Sequence, residues 1–80
     1  MARVHLPGGL SAHTGGLECV DVDATRVGEL ILDLTLRFPG LAEPIRGMAI
    51  AIDGEIYNDA PYHALRDDSE IYFVPPVAGG

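Results

Sequence analysis

The stretch Ile71-Tyr72-Phe73-Val74, followed by Pro75-Pro76, sets the strongest limit on how this chain can fold. Four apolar residues in a row read as a buried strand. Proline has no N–H and holds φ near about −65°, so the pair ends strand pairing and stops the chain folding back. The favoured exit is extended and polyproline-like, at roughly 3.1 Å per residue.

Val77-Ala78-Gly79-Gly80 completes the sequence. Fully extended, these four residues add about 13 Å of reach. Gly79 and Gly80 have no Cβ, so a narrow channel in another protein can accept their backbone. The group at the tip is the Gly80 α-carboxylate, the least hindered acyl group a chain can offer. It is a poor acyl donor until activated, for example as a mixed anhydride with AMP, after which a nucleophile on a partner can take it. Gly80 is therefore the candidate reactive residue. Pro75, Pro76, Val77, Ala78 and Gly79 are candidate partner contacts.

The segment Phe73-Val74-Pro75-Pro76-Val77-Ala78-Gly79-Gly80 resembles the C-terminus of the ubiquitin-like sulfur carriers, most closely the small subunit of molybdopterin synthase. The resemblance implies an α+β chain of the β-grasp (ubiquitin-like) class, a mixed sheet with one main helix on one face. It implies a β-grasp domain over residues 1–74 and a flexible Gly-Gly tail over 75–80. It also implies a carrier rather than an enzyme, or else the small subunit of an enzyme complex. A ubiquitin-activating-type adenylyltransferase and sulfurtransferase would use ATP to adenylate Gly80 and convert it to a thiocarboxylate. A sulfur-accepting enzyme, such as the molybdopterin synthase large subunit, would receive the sulfur. No cofactor is expected to stay bound to the chain itself. His13-Thr14-Gly15-Gly16 and the Val77–Gly80 ending also resemble the carrier of cysteine biosynthesis. Thiamine and secondary-metabolite pathways, and a ubiquitin-like modifier joined to target lysines, stay open as alternatives.

Eighty residues make one domain, small enough that burial only narrowly exceeds the cost of ordering. A net charge of −7 argues against nucleic acid and against anionic membrane surfaces. It favours a partner with a basic face. All five basic residues are arginines. With no lysine, the chain can neither build lysine-linked chains on itself nor hold a P-loop. Cys19 is the only cysteine, so no internal disulfide forms. No apolar run approaches membrane-spanning length, and Pro7-Gly8-Gly9 breaks any signal-peptide core. A cytoplasmic location is the expectation.

From the start of the chain, Ala2–Leu6 alternates, with Ala2, Val4 and Leu6 on one face, and reads as a strand. Pro7–Gly16 reads as a hairpin loop. Leu17–Val22 reads as a second, edge strand with Val20 and Val22 inward and Cys19 and Asp21 outward. Asp23 or Thr25 is the expected helix N-cap. Val27, Leu30, Ile31, Leu34 and Phe38 form a helical apolar stripe, stopped by Pro39-Gly40. Gly28 is expected to pack closely on the sheet. Leu41–Gly47 reads as a crossover with one short turn, and Met48–Ile52 as a strand. Asp53-Gly54 predicts a tight turn into Glu55–Tyr57. Asn58–Arg66, which contains Pro61, reads as loop or a 3₁₀ turn, and Asp67–Glu70 as a polar turn. Family members often have Asp-Gly there, where this chain has Asp67-Asp68, so a different turn is expected.

In the implied fold, the first and last strands lie parallel at the centre of the sheet, which accounts for the apolar run at Ile71–Val74. Ile71 and Phe73 then face the helix. Tyr72 and Val74 face away from it and form a candidate docking patch, joined by Ala49 and Ala51. His5, His13 and His63 have no metal-ligand spacing. Asp53, Glu55 and Asp59 do not fit a calcium loop. Cys19 lacks the positioned base that a nucleophile needs.

Overall fold

A computed structural model describes residues 1–6, 8–58 and 60–75. Five strands, β1 (Ala2–His5), β2 (Cys19–Val22), β3 (Ala49–Ile52), β4 (Glu55–Tyr57) and β5 (Glu70–Val74), make one sheet in the order β2-β1-β5-β3-β4. β1 and β5 run parallel at the centre, and every other pairing is antiparallel. Helix α1 (Val27–Arg37) supplies the long crossover, and α2 (Ala42–Ile45) is the one short turn after it. This is the β-grasp architecture.

Periodicity explains the layers. Ala2, Val4 and Leu6, then Val20 and Val22, then Ile50 and Ile52, then Ile71 and Phe73, are all buried on one side of the sheet. Val27, Leu30 and Leu34 of α1 cover them, with Ile31 and Phe38 half-buried at the margin. A fully buried Leu or Ile side chain contributes roughly 1.5–3 kcal/mol. Cys19 is free and exposed, so this core holds the domain without a cross-link.

The start of α1 departs from expectation. Its N-cap position is Arg26, with no side-chain cap; neither Asp23 nor Thr25 caps it. The first helical donors go to the loop instead: Val27 N–H donates to the His63 carbonyl at 3.1 Å, and Gly28 N–H to that of Pro61 at 2.8 Å. Thr25 donates both its N–H and its hydroxyl to Glu29 Oε1, at 3.2 and 2.7 Å. The Thr25 hydroxyl, with its N–H, holds the Glu29 carboxyl below its ordinary value. Gly28 is closely packed, but on the loop and not the sheet. A Cβ there would lie 3.2 Å from the Pro61 carbonyl oxygen.

Residues 8–14, expected as plain loop, form a 3₁₀ helix (Gly8–Thr14). Hydroxyl groups hold it: Ser11 donates to the Gly8 carbonyl at 3.0 Å, and buried Thr14 to that of Leu17 at 2.7 Å. Local side-chain bonds of this kind give a polar segment its own backbone course. At the edge strand, Arg37 Nη1 donates to the Asp21 carbonyl at 3.2 Å, occupying an acceptor that an incoming strand would need.

Asp53 takes a left-handed conformation, φ 50°, before Gly54 at φ 90°, which closes the tight turn between β3 and β4. Among the described residues it is the one non-glycine with positive φ, so the Asp67-Asp68 turn closes without that conformation. Asp53 also ties this turn to the start of β5. The Glu70 N–H donates to its Oδ1 at 2.9 Å, and Arg66 Nη2 to its Oδ2 at 3.0 Å. The Glu70 N–H, followed by the charge of Arg66, holds the Asp53 carboxyl below its ordinary value. The folded state thus takes up this proton less readily than the unfolded chain. The resulting stability is present above the unfolded carboxylate range near pH ~4 and is lost as pH falls through the lower folded value. Asp53→Asn keeps a residue that tolerates positive φ while removing the charge. Its unfolding midpoint, followed by circular dichroism from pH 7 to 3, is expected to fall less steeply with acid than the wild type's. Parallel curves would contradict this role.

Candidate functional site

The site is built on β5. With Ile71 and Phe73 buried beneath the helix, alternation turns Tyr72 and Val74 to the other face, as expected: Tyr72 is 45% exposed and Val74 half-buried. Pro75 follows directly and is exposed. Pro76, Val77, Ala78, Gly79 and the expected reactive residue Gly80 lie outside the described residues.

The strand registers show what surrounds Tyr72. His5 pairs with Cys19 and with Tyr72, and Ala51 pairs with Tyr72 and with Ile56. One row, Cys19–His5–Tyr72–Ala51–Ile56, therefore crosses all five strands on the open face. Ala49 pairs with Val74 in the next row toward Pro75. On the other side, Asp21 pairs with Arg3 and Arg3 with Glu70. Polarity is thus graded along the strands, with charge at the start of β5 and apolar carbon at its end.

Three side chains in this face hold each other. The imidazole of His5 stacks on Tyr72 with ring centroids 4.3 Å apart and planes 8° apart. His5 Nε2–H donates to Glu70 Oε1 at 2.7 Å. Tyr72 therefore stands beside a ring that is fixed from the next strand. The sequence reading found Tyr72, Val74, Ala49 and Ala51, and the register brings them together. It missed His5, which it named only for its lack of metal-ligand spacing, and Ile56, which is 61% exposed. The missed signal is period two: in the three-residue strand β4 Glu55 and Tyr57 share their rows with the buried Ile52 and Ile50, so Ile56 between them faces away from the helix.

The root of the last segment also borders the helix side. An apolar cleft of about 540 Å³ there is lined by Leu10, His13, Pro44, Met48, Phe73 and Pro75. Pro75 thus sits at a corner between the open face and this cleft. No cluster of His, Cys, Asp or Glu among the described residues is arranged to hold a metal ion. No helix among them is long and apolar enough to cross a membrane.

Comparison with known proteins agrees with this geometry. The chain is 25% identical to a chain of the BexX/CysO complex of Amycolatopsis orientalis, covering 100% of both, with a TM-score of 0.84. It is 25% identical to small archaeal modifier protein 1 of Methanosarcina acetivorans, covering 99% of this chain and 95% of that one, TM-score 0.81. Subunits 1 and 2 of the molybdopterin-converting factor of Helicobacter pylori form a complex in which one chain matches at 23% identity and a TM-score of 0.69, over 99% and 98%, a likeness of fold. No curated protein matches in sequence. The ThiS family model matches residues 4–80, nearly the whole length, and the chain belongs to the ThiS family.

Proposed function

We propose that this protein is a sulfur carrier whose Gly80 carboxylate is adenylated and then converted to a thiocarboxylate. The observation that carries the reading is the position of the Pro75-Pro76-Val77-Ala78-Gly79-Gly80 segment. In sequence it follows the central strand directly, and its first residue, Pro75, stands at the apolar end of an open sheet face. An activating enzyme joins the Gly80 carboxylate to AMP, releasing pyrophosphate. Sulfur at the sulfide level then attacks the acyl carbon: the C–S bond forms, the C–O bond to phosphate breaks, and AMP leaves with the electron pair. The chain contributes the acyl group and the docking surface, Tyr72, Val74, Ala49 and Ala51 with Pro75; the catalytic groups belong to the partner. A second enzyme accepts the sulfur.

The Pro75-Pro76-Val77 run supports molybdopterin synthesis as the destination. The likeness to the BexX/CysO chain supports a second destination, a pathway served by a CysO-type carrier. Mixing the thiocarboxylated protein with each candidate acceptor enzyme from the same genome separates them, since one of the two discharges it. The likeness to small archaeal modifier protein 1 supports a ubiquitin-like modifier. That reading predicts Gly80-dependent high-mass conjugates on immunoblots, and the carrier reading predicts none.

Gly79→Ala tests where the terminal glycines act. In this reading a methyl at residue 79 meets the walls of the partner's channel. Adenylate formation, read by ATP–pyrophosphate exchange, is expected to fall by at least tenfold, while stability stays within about 0.5 kcal/mol of wild type. A large drop in melting temperature with normal exchange would contradict the proposal.

A further inference from the structure

The row Cys19–His5–Tyr72–Ala51–Ile56 is uneven at its centre, and the unevenness has a shape. The His5 and Tyr72 centroids lie 4.3 Å apart with planes 8° apart. That separation is close to the strand spacing of about 4.8 Å, so the two rings stand side by side across β1 and β5. Tyr72 then turns its second face toward β3. Its neighbour there is Ala51, a side chain too short to cover an aromatic ring. Beyond Ala51 stands exposed Ile56 on β4. From β5 to β4 is two strand spacings, roughly 9.5 Å, which leaves room for one further side chain between ring and isoleucine.

We propose that the partner docking on this face inserts an arginine into the slot between Tyr72 and Ile56, over Ala51. The inference rests on the reading of this face as a docking surface and names its occupant. An open tyrosine face attracts a cation, and a planar guanidinium stacks on it while its aliphatic stem lies along Ile56. Charge points the same way. Glu70 lies two residues from Tyr72 on the same face, roughly 6.6 Å along the strand, within an arginine's reach. One of its oxygens accepts from His5 at 2.7 Å, and the other makes no hydrogen bond among the described residues. Arg3, which shares the row of Glu70, already faces Asp21 at 3.4 Å, and Asp53 faces Arg66 at 3.0 Å. The chain as a whole carries −7, so a basic partner surface is drawn toward it.

The test is a titration of the isotope-labelled protein, followed by NMR, with the tripeptide N-acetyl-Leu-Arg-Leu-amide. Two control peptides replace the arginine by citrulline, which has the same shape without charge, and by norleucine. The arginine peptide is expected to move the signals of Tyr72, Ala51, Ile56 and Glu70 at least threefold further than either control. Tyr72→Leu should cut that response to the control level, and Tyr72→Phe should keep it. Equal shifts with norleucine would mean an aliphatic occupant and would overturn the proposal. Movement of the same signals on diluting the protein alone would mean that a second copy fills the slot, and would overturn it too. So would shifts scattered over the surface. No sulfur chemistry enters the titration, so loss of Gly80 activation would leave this result standing.

Discussion

Deletion of Gly80 is expected to reduce adenylate formation by about a hundredfold or more and to abolish sulfur loading. The deletion draws the terminal carboxylate back by one residue, about 3.3–3.6 Å. Misplacing a reacting group by ~1 Å can already cost about 10²-fold, so an activating enzyme built for the longer reach has no acyl oxygen where its ATP waits. The folded body should not register the change. An effect within about 0.5 kcal/mol corresponds to a melting temperature within roughly 2–4 °C of wild type for a domain of this size. ATP–pyrophosphate exchange and thermal melting, run on the same preparation, check both halves. Unaltered exchange from the shortened chain would remove Gly80 from the chemistry.

The second large effect lies in the core. Leu34 is completely buried at the centre of α1, facing the sheet. Leu34→Ala is expected to destabilise the domain by about 2–5 kcal/mol, from lost transfer free energy and from the cavity left behind. Eighty residues hold a total of roughly 4–12 kcal/mol, so this one change removes a large part of it. Cys19 is free and exposed, so no disulfide limits the loss. The unfolding midpoint in urea reads it directly. On the proposed function, the fraction that stays folded should still be adenylated at the normal rate, because Leu34 lies on the helix side of the sheet, opposite the face that carries Tyr72. A loss below about 1 kcal/mol would mean that helix and sheet are packed far more loosely than the burial of Leu30, Leu34 and Ile71 indicates.

What was legible in the residues was what local periodicity controls. Ala2, Val4 and Leu6, or Ile50 and Ile52, point to one side because strand side chains alternate, and nothing distant can change that. The Asp53-Gly54 turn was legible because both residues carry the positive φ it needs. Illegible features depend on partners far along the chain. The donors at the start of α1 are satisfied by carbonyls of Pro61 and His63, more than thirty residues away, so Asp23 and Thr25 advertised a cap that the fold does not use. One local feature was also illegible: the buried Ser69 hydroxyl accepts the Arg66 N–H at 2.8 Å inside the turn, which composition alone does not reveal. In the candidate site, Tyr72 and Val74 were readable from alternation, whereas the stack with His5 needed the parallel register of β1 and β5. The antiparallel registers of β3 with β5 and with β4 bring Ala51 and Ile56 into the same row as Tyr72, and so turn a list of outward residues into a surface.

The most direct measurement is the mass of the intact protein after incubation with its activating enzyme, ATP and a sulfide source. The account predicts a shift equal to the exchange of one carboxyl oxygen for sulfur, located at Gly80 by fragmentation and absent without ATP. An unchanged mass under conditions where the enzyme consumes ATP with this protein, or sulfur found on Cys19 instead, would contradict it.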